Sequence, residues 1–401
     1  MIFRFPNSFL WGASISSYQT EGNNLNCDWY EWEKLKNLEP AGSASNHYFL
    51  FKKDFILAKE LNLNAIKFSF EWSRLYSNEK ELVNEALKHY QLVIDTLIEL
   101  NLEPFVALHH FTNPIWFSKK DGWLLAKNVD FFLEYLIKIV SIFKDKVKYW
   151  LIFNEPLVYV YNSFIKGIWP PGKKSFSDAK KALCNIKNAY KDGYKEIKRI
   201  YAGNFCNVSL SKHLRFFCGC PNFSFGLNNL AAKIRDNIFN FSLLEEFTKK
   251  GILDFLSINY YCKEYTQFFG IYGKECRHNH TRRKNFLNWY IYPEGLYLLL
   301  SKLRSYDLPI IITENGTAES TDNFYKDYLI SHLKNIAKAI KEGVKISGYF
   351  WWSLIDNYEW EKGFNPRFGL LEVDYNTFER KIKPFAYLYA KICKEKQLEI
   401  D

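Results

Sequence analysis

Residues 149–156 read YWLIFNEP and residues 309–316 read PIIITENG. Each is a run of apolar, largely β-branched or aromatic side chains that stops abruptly at Asn and Glu. A run of that length suits a strand covered on both faces, and its polar end marks where the strand leaves the sheet. Six more runs of this kind lie near residues 9–15, 65–70, 104–110, 207–211, 255–261 and 346–354. Between them lie stretches of helical period, such as NVDFFLEYLIKIVSIFKDK over 128–146 and FYKDYLISHLKNIAKAIKEG over 324–343, apolar on one face and ending in Lys or Gly. The alternation predicts βαβ units on a parallel sheet, and eight of them close a (β/α)8 TIM barrel. No Pro/Gly/Ser linker, tandem repeat or charge block divides the chain. One barrel domain is therefore expected over residues 1–401.

Composition agrees with a large packed core. Hydrophobic residues are 48% of the chain and aromatic residues 18%, which excludes a disordered or low-complexity reading. The aromatic supply also suits sugar binding, since pyranose C–H faces pack on rings while hydroxyls take polar partners. The net charge of +10 comes from scattered Lys and Arg, and the densest run, RHNHTRRK over 277–284, is short. A solvated loop is expected there and no nucleic-acid partner. The eight Cys show no metal-type spacing, and Cys218-Gly-Cys220 is the one close pair, so reduced thiols are the default expectation. The first residues, MIFRFPNSFLWGAS, do not have the pattern of a secretion signal, and no stretch is apolar for the roughly 18 residues of a membrane span. A cytoplasmic protein with no integral membrane segment is expected.

Four polar groups stand at strand ends in this register: His109-His110, Asn154-Glu155-Pro156, Asn259-Tyr260-Tyr261 and Glu314-Asn315-Gly316. Barrel enzymes assemble their active sites at those C-terminal ends. Glycoside cleavage requires one carboxylic acid to protonate the departing oxygen and one carboxylate across the anomeric carbon. At about 5–5.5 Å from the first, the second attacks directly and configuration is retained. Glu155 and Glu314 meet the chemical requirement. Their protonation states must differ at one pH. The expectation is that apolar surroundings and the charge of Glu314 keep Glu155 protonated. Glu314 would stay ionised through a hydrogen bond and a cation, with Tyr261 and Lys67 as candidate partners.

At these residues the chain resembles glycoside hydrolase family 1, the β-glucosidase/β-galactosidase family, and in particular its compact archaeal-type members. The resemblance runs from FPNSFLWGASISSYQTEG at residues 5–22 to FGLLEVDYNTFERKIKP at residues 368–384. It implies a retaining, exo-acting β-glycosidase that takes small β-glycosides or oligosaccharides, with no cofactor and no metal. In that family the acid/base lies in Asn-Glu-Pro, here at Glu155, and the nucleophile in Thr-Glu-Asn-Gly, here at Glu314. The resemblance further implies that Gln19 bridges the sugar O3 and O4, His110 meets O3, and Asn154 holds the 2-hydroxyl. Tyr261, on the same strand face as Asn259, donates to Glu314. In WWSLIDNYEWEKGF at 351–364, Trp352 would form the platform, Glu359 would grip O4 and O6, and Trp360 would offer its indole N–H. A carboxylate at Glu359 argues against 6-phosphorylated sugars. Two departures stand out: Lys67 occupies the place of the family's usual Arg, and Phe111 that of a usual Trp. A barrel that binds glycans without cleaving them and a 6-phospho-β-glycosidase are the alternatives left open.

Overall fold

The structure is a computed structural model that describes residues 1–221, 226–269, 274–276 and 283–400. The eight expected strands form its closed sheet among these residues. They are β1 (Leu10–Ser14), β2 (Ala65–Ser69), β3 (Glu103–Ala107), β4 (Tyr149–Asn154), β5 (Asn207–Gly219), β6 (Leu256–Gln267), β7 (Ile310–Asn315) and β8 (Ile346–Trp352). Each pairs in parallel with its sequence neighbour, β8 pairs with β1, and the circle is complete. Helices α1 (His47–Glu60), α2 (Asn84–Glu99), α3 (Val129–Phe143), α4 (Phe176–Tyr201), α5 (Ser242–Lys249), α6 (Pro293–Leu303), α7 (Asp322–Lys341) and α8 (Pro384–Glu395) follow the strands in turn. The fold is the (β/α)8 barrel expected from the alternation.

Helix α3 shows how the outer layer is held. Phe132, Leu136, Ile139, Val140 and Phe143 recur at helical spacing and are all buried, each contributing roughly 1.5–3 kcal/mol. Gly193 on α4 lets the two helices close, since a Cβ there would meet Leu136 Cδ1 at 2.7 Å. Inside the barrel the lower layer is apolar, built from Ala65, Phe105, Ala107, Leu151, Phe255, Ile311 and Phe350. Above it comes a hydroxyl layer in which Ser257 Oγ lies 3.0 Å from Ser211 Oγ and 2.7 Å from Thr313 Oγ1.

Two expectations need correction. Strands β5 and β6 run on to Gly219 and Gln267, well past residues 211 and 261, because they keep pairing beyond the barrel rim through Phe216 with Lys263 and Gly219 with Thr266. Lys212, His213 and Arg215, beyond the expected strand end at residue 211, are strand. The thiols are not all reduced either: Cys220 and Cys276 form a disulfide with Cα atoms 6.1 Å apart. They are far apart in sequence, and the extended strands bring them together. Most of the basic run, residues 277–282, lies outside the described residues. Among the described residues no helix is long and apolar enough to cross a membrane.

Candidate active site

Glu314 owes its position to a bulge. Between the pairs Ile258–Ile312 and Asn259–Glu314, β7 carries one residue more than β6, and the same excess appears against β8. Simple alternation would send Thr313 and Glu314 to opposite faces. With the bulge both point inward: Thr313 Oγ1 donates to Asn259 Oδ1 at 2.8 Å, while Glu314 meets Lys67 and Tyr261. Asn315 turns outward, its Nδ2 donating to the Tyr260 carbonyl and to Tyr328 on α7. Gly316 is required next, because a Cβ there would meet the Trp352 carbonyl oxygen at 1.9 Å.

The Lys67 ammonium lies 2.5 Å from Glu314 Oε1 and 2.8 Å from Asn154 Oδ1, fully buried. A single point cation thus reaches the carboxylate and the neighbouring amide together. The Tyr261 hydroxyl donates to Glu314 Oε2 at 2.5 Å.

Glu155 sits where β4 passes into a short helix, Pro156–Val160, and adopts left-handed backbone angles, φ 45° and ψ 53°. A non-glycine residue there costs on the order of 1–3 kcal/mol and needs its surroundings to hold it. Its N–H donates to the Ser211 carbonyl at 2.8 Å, and Pro156 starts the helix. The carboxylate is not in the apolar setting expected for it. Oε1 accepts from Asn259 Nδ2 at 2.7 Å and faces His213 Nδ1 at 3.0 Å.

The two carboxyls titrate as one system. Burial raises Glu155, while the hydrogen bonds from His213 and Asn259 and the charge of Lys67 lower it. Burial likewise raises Glu314, the Lys67 ammonium and the Tyr261 hydroxyl lower it, and the negative charge of Glu155 adds to the rise. Because the charge of one carboxylate acts on the other, the two titrations belong to the pair and to neither residue alone. Burial, then the charge of Lys67, lowers His110 well below the ordinary range, so its ring is neutral. Asn154 Nδ2 lies 3.1 Å from His110 Nε2, and His110 Nδ1 is buried with no hydrogen-bond partner.

Ten of the sequence-named residues line one cavity of about 420 Å³: Gln19, His110, Phe111, Asn154, Glu155, Tyr261, Glu314, Trp352, Glu359 and Trp360. Lys67 and Asn259 stand behind it and touch the carboxylates. Trp352 Nε1 donates to Glu359 Oε1 at 3.2 Å. Burial pushes Glu359 up to about 8, with the negative charges of Glu314 and Glu361 adding to the rise. Gln19 Nε2 is engaged with Asn357 Oδ1 and the Tyr358 carbonyl, at 3.1 and 2.9 Å. Phe111 packs against Trp169 and Trp360, with ring centroids at 4.8 and 5.4 Å. Trp169 belongs to the Gly-Ile-Trp-Pro-Pro-Gly turn, and its indole donates to Glu361 Oε2 at 2.8 Å. Trp29 is wholly buried behind Trp169 and Trp360 and serves packing. Among the described residues no cluster of three or more His, Cys, Asp or Glu is arranged to hold a metal ion.

Paired carboxylates at the mouth of a (β/α)8 barrel agree with what known proteins show. The model for glycosyl hydrolase family 1 matches residues 2–240 and 237–398. The chain belongs to glycosyl hydrolase family 1. It is 31% identical over 443 residues to beta-glucosidase A of Thermotoga maritima, with 99% of each chain covered. It is also 30% identical over 469 residues to a 6-phospho-beta-galactosidase of Clostridium acetobutylicum, with 98% of each covered. Among solved structures, the beta-glycosidase from Pyrococcus horikoshii matches with a TM-score of 0.93 at 35% identity, covering 100% of this chain and 97% of that one. This family 1 chain is a glycoside hydrolase.

Sequence reasoning missed part of the site in this family 1 barrel. His213 and Arg215 on β5, Glu264 on β6, and Trp289 also line the cavity. A signal was available: His213 and Arg215 are two apart and follow an apolar–polar alternation, which places them on one strand face. Ending β5 at residue 211 hid it.

Proposed function

We propose that the enzyme is a retaining, exo-acting β-glycosidase for small, unphosphorylated β-glycosides, working by double displacement. Glu314 attacks the anomeric carbon as Glu155 gives its proton to the glycosidic oxygen, and the alcohol leaves. Glu155, now a carboxylate, takes a proton from water as that water attacks the glycosyl ester. The sugar departs with its original configuration and Glu314 is free again. An alcohol in place of the water gives transglycosylation. The observation that carries this reading is the unequal partnering of the two buried carboxyls: Glu314 has an ammonium and a phenol hydroxyl, Glu155 only neutral or titratable donors. A carboxylate with a cation at contact distance is the better anion.

The sugar would lie on Trp352, with its 2-hydroxyl at Asn154, O3 at His110 and Gln19, and O4 and O6 at Glu359 and Trp360. His110 lines the cavity as a neutral ring, which suits a neutral hydroxyl partner. Burial, with the charges of Glu314 and Glu361 adding to it, holds Glu359 protonated up to about 8, and a site that disfavours one negative charge so strongly disfavours a 6-phosphate dianion still more, which favours free sugars over the 6-phospho reading. The test is hydrolysis of aryl β-glycosides, free and 6-phosphorylated, by the wild type and by Glu314→Ala with added azide. Loss of turnover and formation of an α-glycosyl azide establish Glu314 as the nucleophile; β-azide or full activity refutes it. Faster cleavage of the 6-phosphorylated substrate would overturn the reading of Glu359.

A further inference from the structure

Behind Glu155 runs a chain of side chains that the double-displacement scheme does not use. Glu155 Oε1 faces His213 Nδ1 at 3.0 Å, and Arg215 Nε donates to His213 Nε2 at 3.1 Å. Arg215 Nη1 then donates to Glu264 Oε2 at 3.0 Å, and Arg235 Nη2 to Glu264 Oε1 at 2.6 Å. His213 and Glu264 are 5% and 4% exposed, so water does not replace these partners. The backbone of Arg215 is clamped by Asn240, whose Oδ1 accepts from Arg215 N at 3.0 Å and whose Nδ2 donates to Arg215 O at 2.7 Å.

A guanidinium N–H aimed at Nε2 requires a bare lone pair there. Protonating that nitrogen would set two donors against each other within hydrogen-bond distance. The ring hydrogen is therefore on Nδ1, the ring is neutral, and Nδ1–H donates to Glu155 Oε1. That oxygen already accepts from Asn259 Nδ2, whose own Oδ1 is pinned by the Thr313 hydroxyl. With both acceptor directions of Oε1 filled, the acidic hydrogen has one place left, Oε2. Among the described residues Oε2 has no hydrogen-bond partner, and Glu155 lines the cavity.

Resting on the reading of Glu155 as the acid/base, we propose that His213, held as its Nδ1–H tautomer by Arg215 and Glu264, is a positioning residue that keeps the transferable proton of Glu155 on Oε2, toward the leaving group. The same bond favours the carboxylate form, so that Glu155 can act as base after the alcohol departs. The other charged or titratable groups facing Glu155 are Lys67 from β2, His110 beyond β3, Lys212 from β5, Tyr261 from β6 and Glu314 from β7, while Arg215 acts on His213. Lys212, lowered to about 7 by burial, titrates nearby, but its ammonium donates to the His213 carbonyl at 2.5 Å and not to the carboxylate.

Two measurements decide it. In the full-length enzyme carrying 15N-labelled histidine rings, with His213 assigned by its loss in His213→Asn, Nδ1 should be protonated and Nε2 bare from pH 5 to 8. An Nε2–H tautomer or an imidazolium at pH 7 overturns the proposal, and this measurement needs no variant that folds poorly. In the pH profile of kcat/KM for a poor leaving group, His213→Phe keeps the ring stacked on Tyr261 but removes the donor. The basic limb should move up by roughly one to two pH units. His213→Asn, whose Nδ2 falls near the lost Nδ1, should bring it most of the way back. An unmoved limb overturns the proposal. Glu155→Gln separates the two readings: if the basic limb persists there, Glu155 is not the acid/base; if it vanishes there but does not move in His213→Phe, only the role of His213 fails.

Discussion

Glu314 and Glu155 are both nearly sealed from water, at 3% and 7% exposure, yet they are held by different means. The Glu314 side is built on charge: an ammonium at contact distance, a phenol hydroxyl, and a bulge that turns the residue inward. The Glu155 side is built on direction: two donors converge on one oxygen and leave the other open. A charge determines how much an anion is stabilised, whereas aimed neutral donors determine where its proton goes. In the proposed double displacement the first serves the nucleophile and the second an acid that later becomes a base.

The sharpest way to break this comparison is Glu155→Gln. With a poor leaving group kcat/KM should fall by about 10²–10⁴-fold, and with an activated phenol far less, because only the former needs its oxygen protonated. Equal losses on both substrates would mean that Glu155 does not act as the acid.

Next in size is Lys67→Met. Lys67 lowers Glu314, so without it the proposed nucleophile requires a higher pH to ionise, and the acidic limb of kcat/KM should move upward while activity at pH 6 falls. An uncompensated buried carboxylate should also cost on the order of 3–5 kcal/mol in stability at neutral pH, read by denaturant unfolding. A stable variant with an unshifted acidic limb would show that Tyr261 alone suffices.

Tyr261→Phe removes one charge-assisted hydrogen bond and leaves the ammonium. Its kcat should drop by roughly 10- to 100-fold with KM little changed, since the bond matters most while Glu314 exchanges charge for ester. If KM rises instead and kcat stays, the hydroxyl serves binding.

The smallest effect is expected at the glycone wall. Phe111→Trp supplies the indole N–H that this chain lacks, and KM for a glucoside should fall by less than about tenfold. A rise in KM together with a lower Tm would mean that Trp169 and Trp360 already fill the space.

Much of this molecule is legible along the chain. Apolar runs ending in Asn-Glu and Glu-Asn identify strands and mark which end carries chemistry, because the period of the side chains and the solvation of a carboxylate are local properties. The partnership of Lys67 and Tyr261 with Glu314 was also open to reasoning, since an ionised buried carboxylate demands a cation and a donor, and few candidates stand at strand ends. Three features depend on barrel closure instead. The β7 bulge is defined only by its register against β6 and β8. The Cys220–Cys276 bond spans 56 residues and follows from strands that pair beyond the rim. The contact of His213 with Glu155 joins residues 58 apart in sequence. Residue types and periodicity thus determined the barrel and its carboxylate pair, while hydrogen-bond direction, which requires the positions of both partners, was decided by the tertiary structure alone.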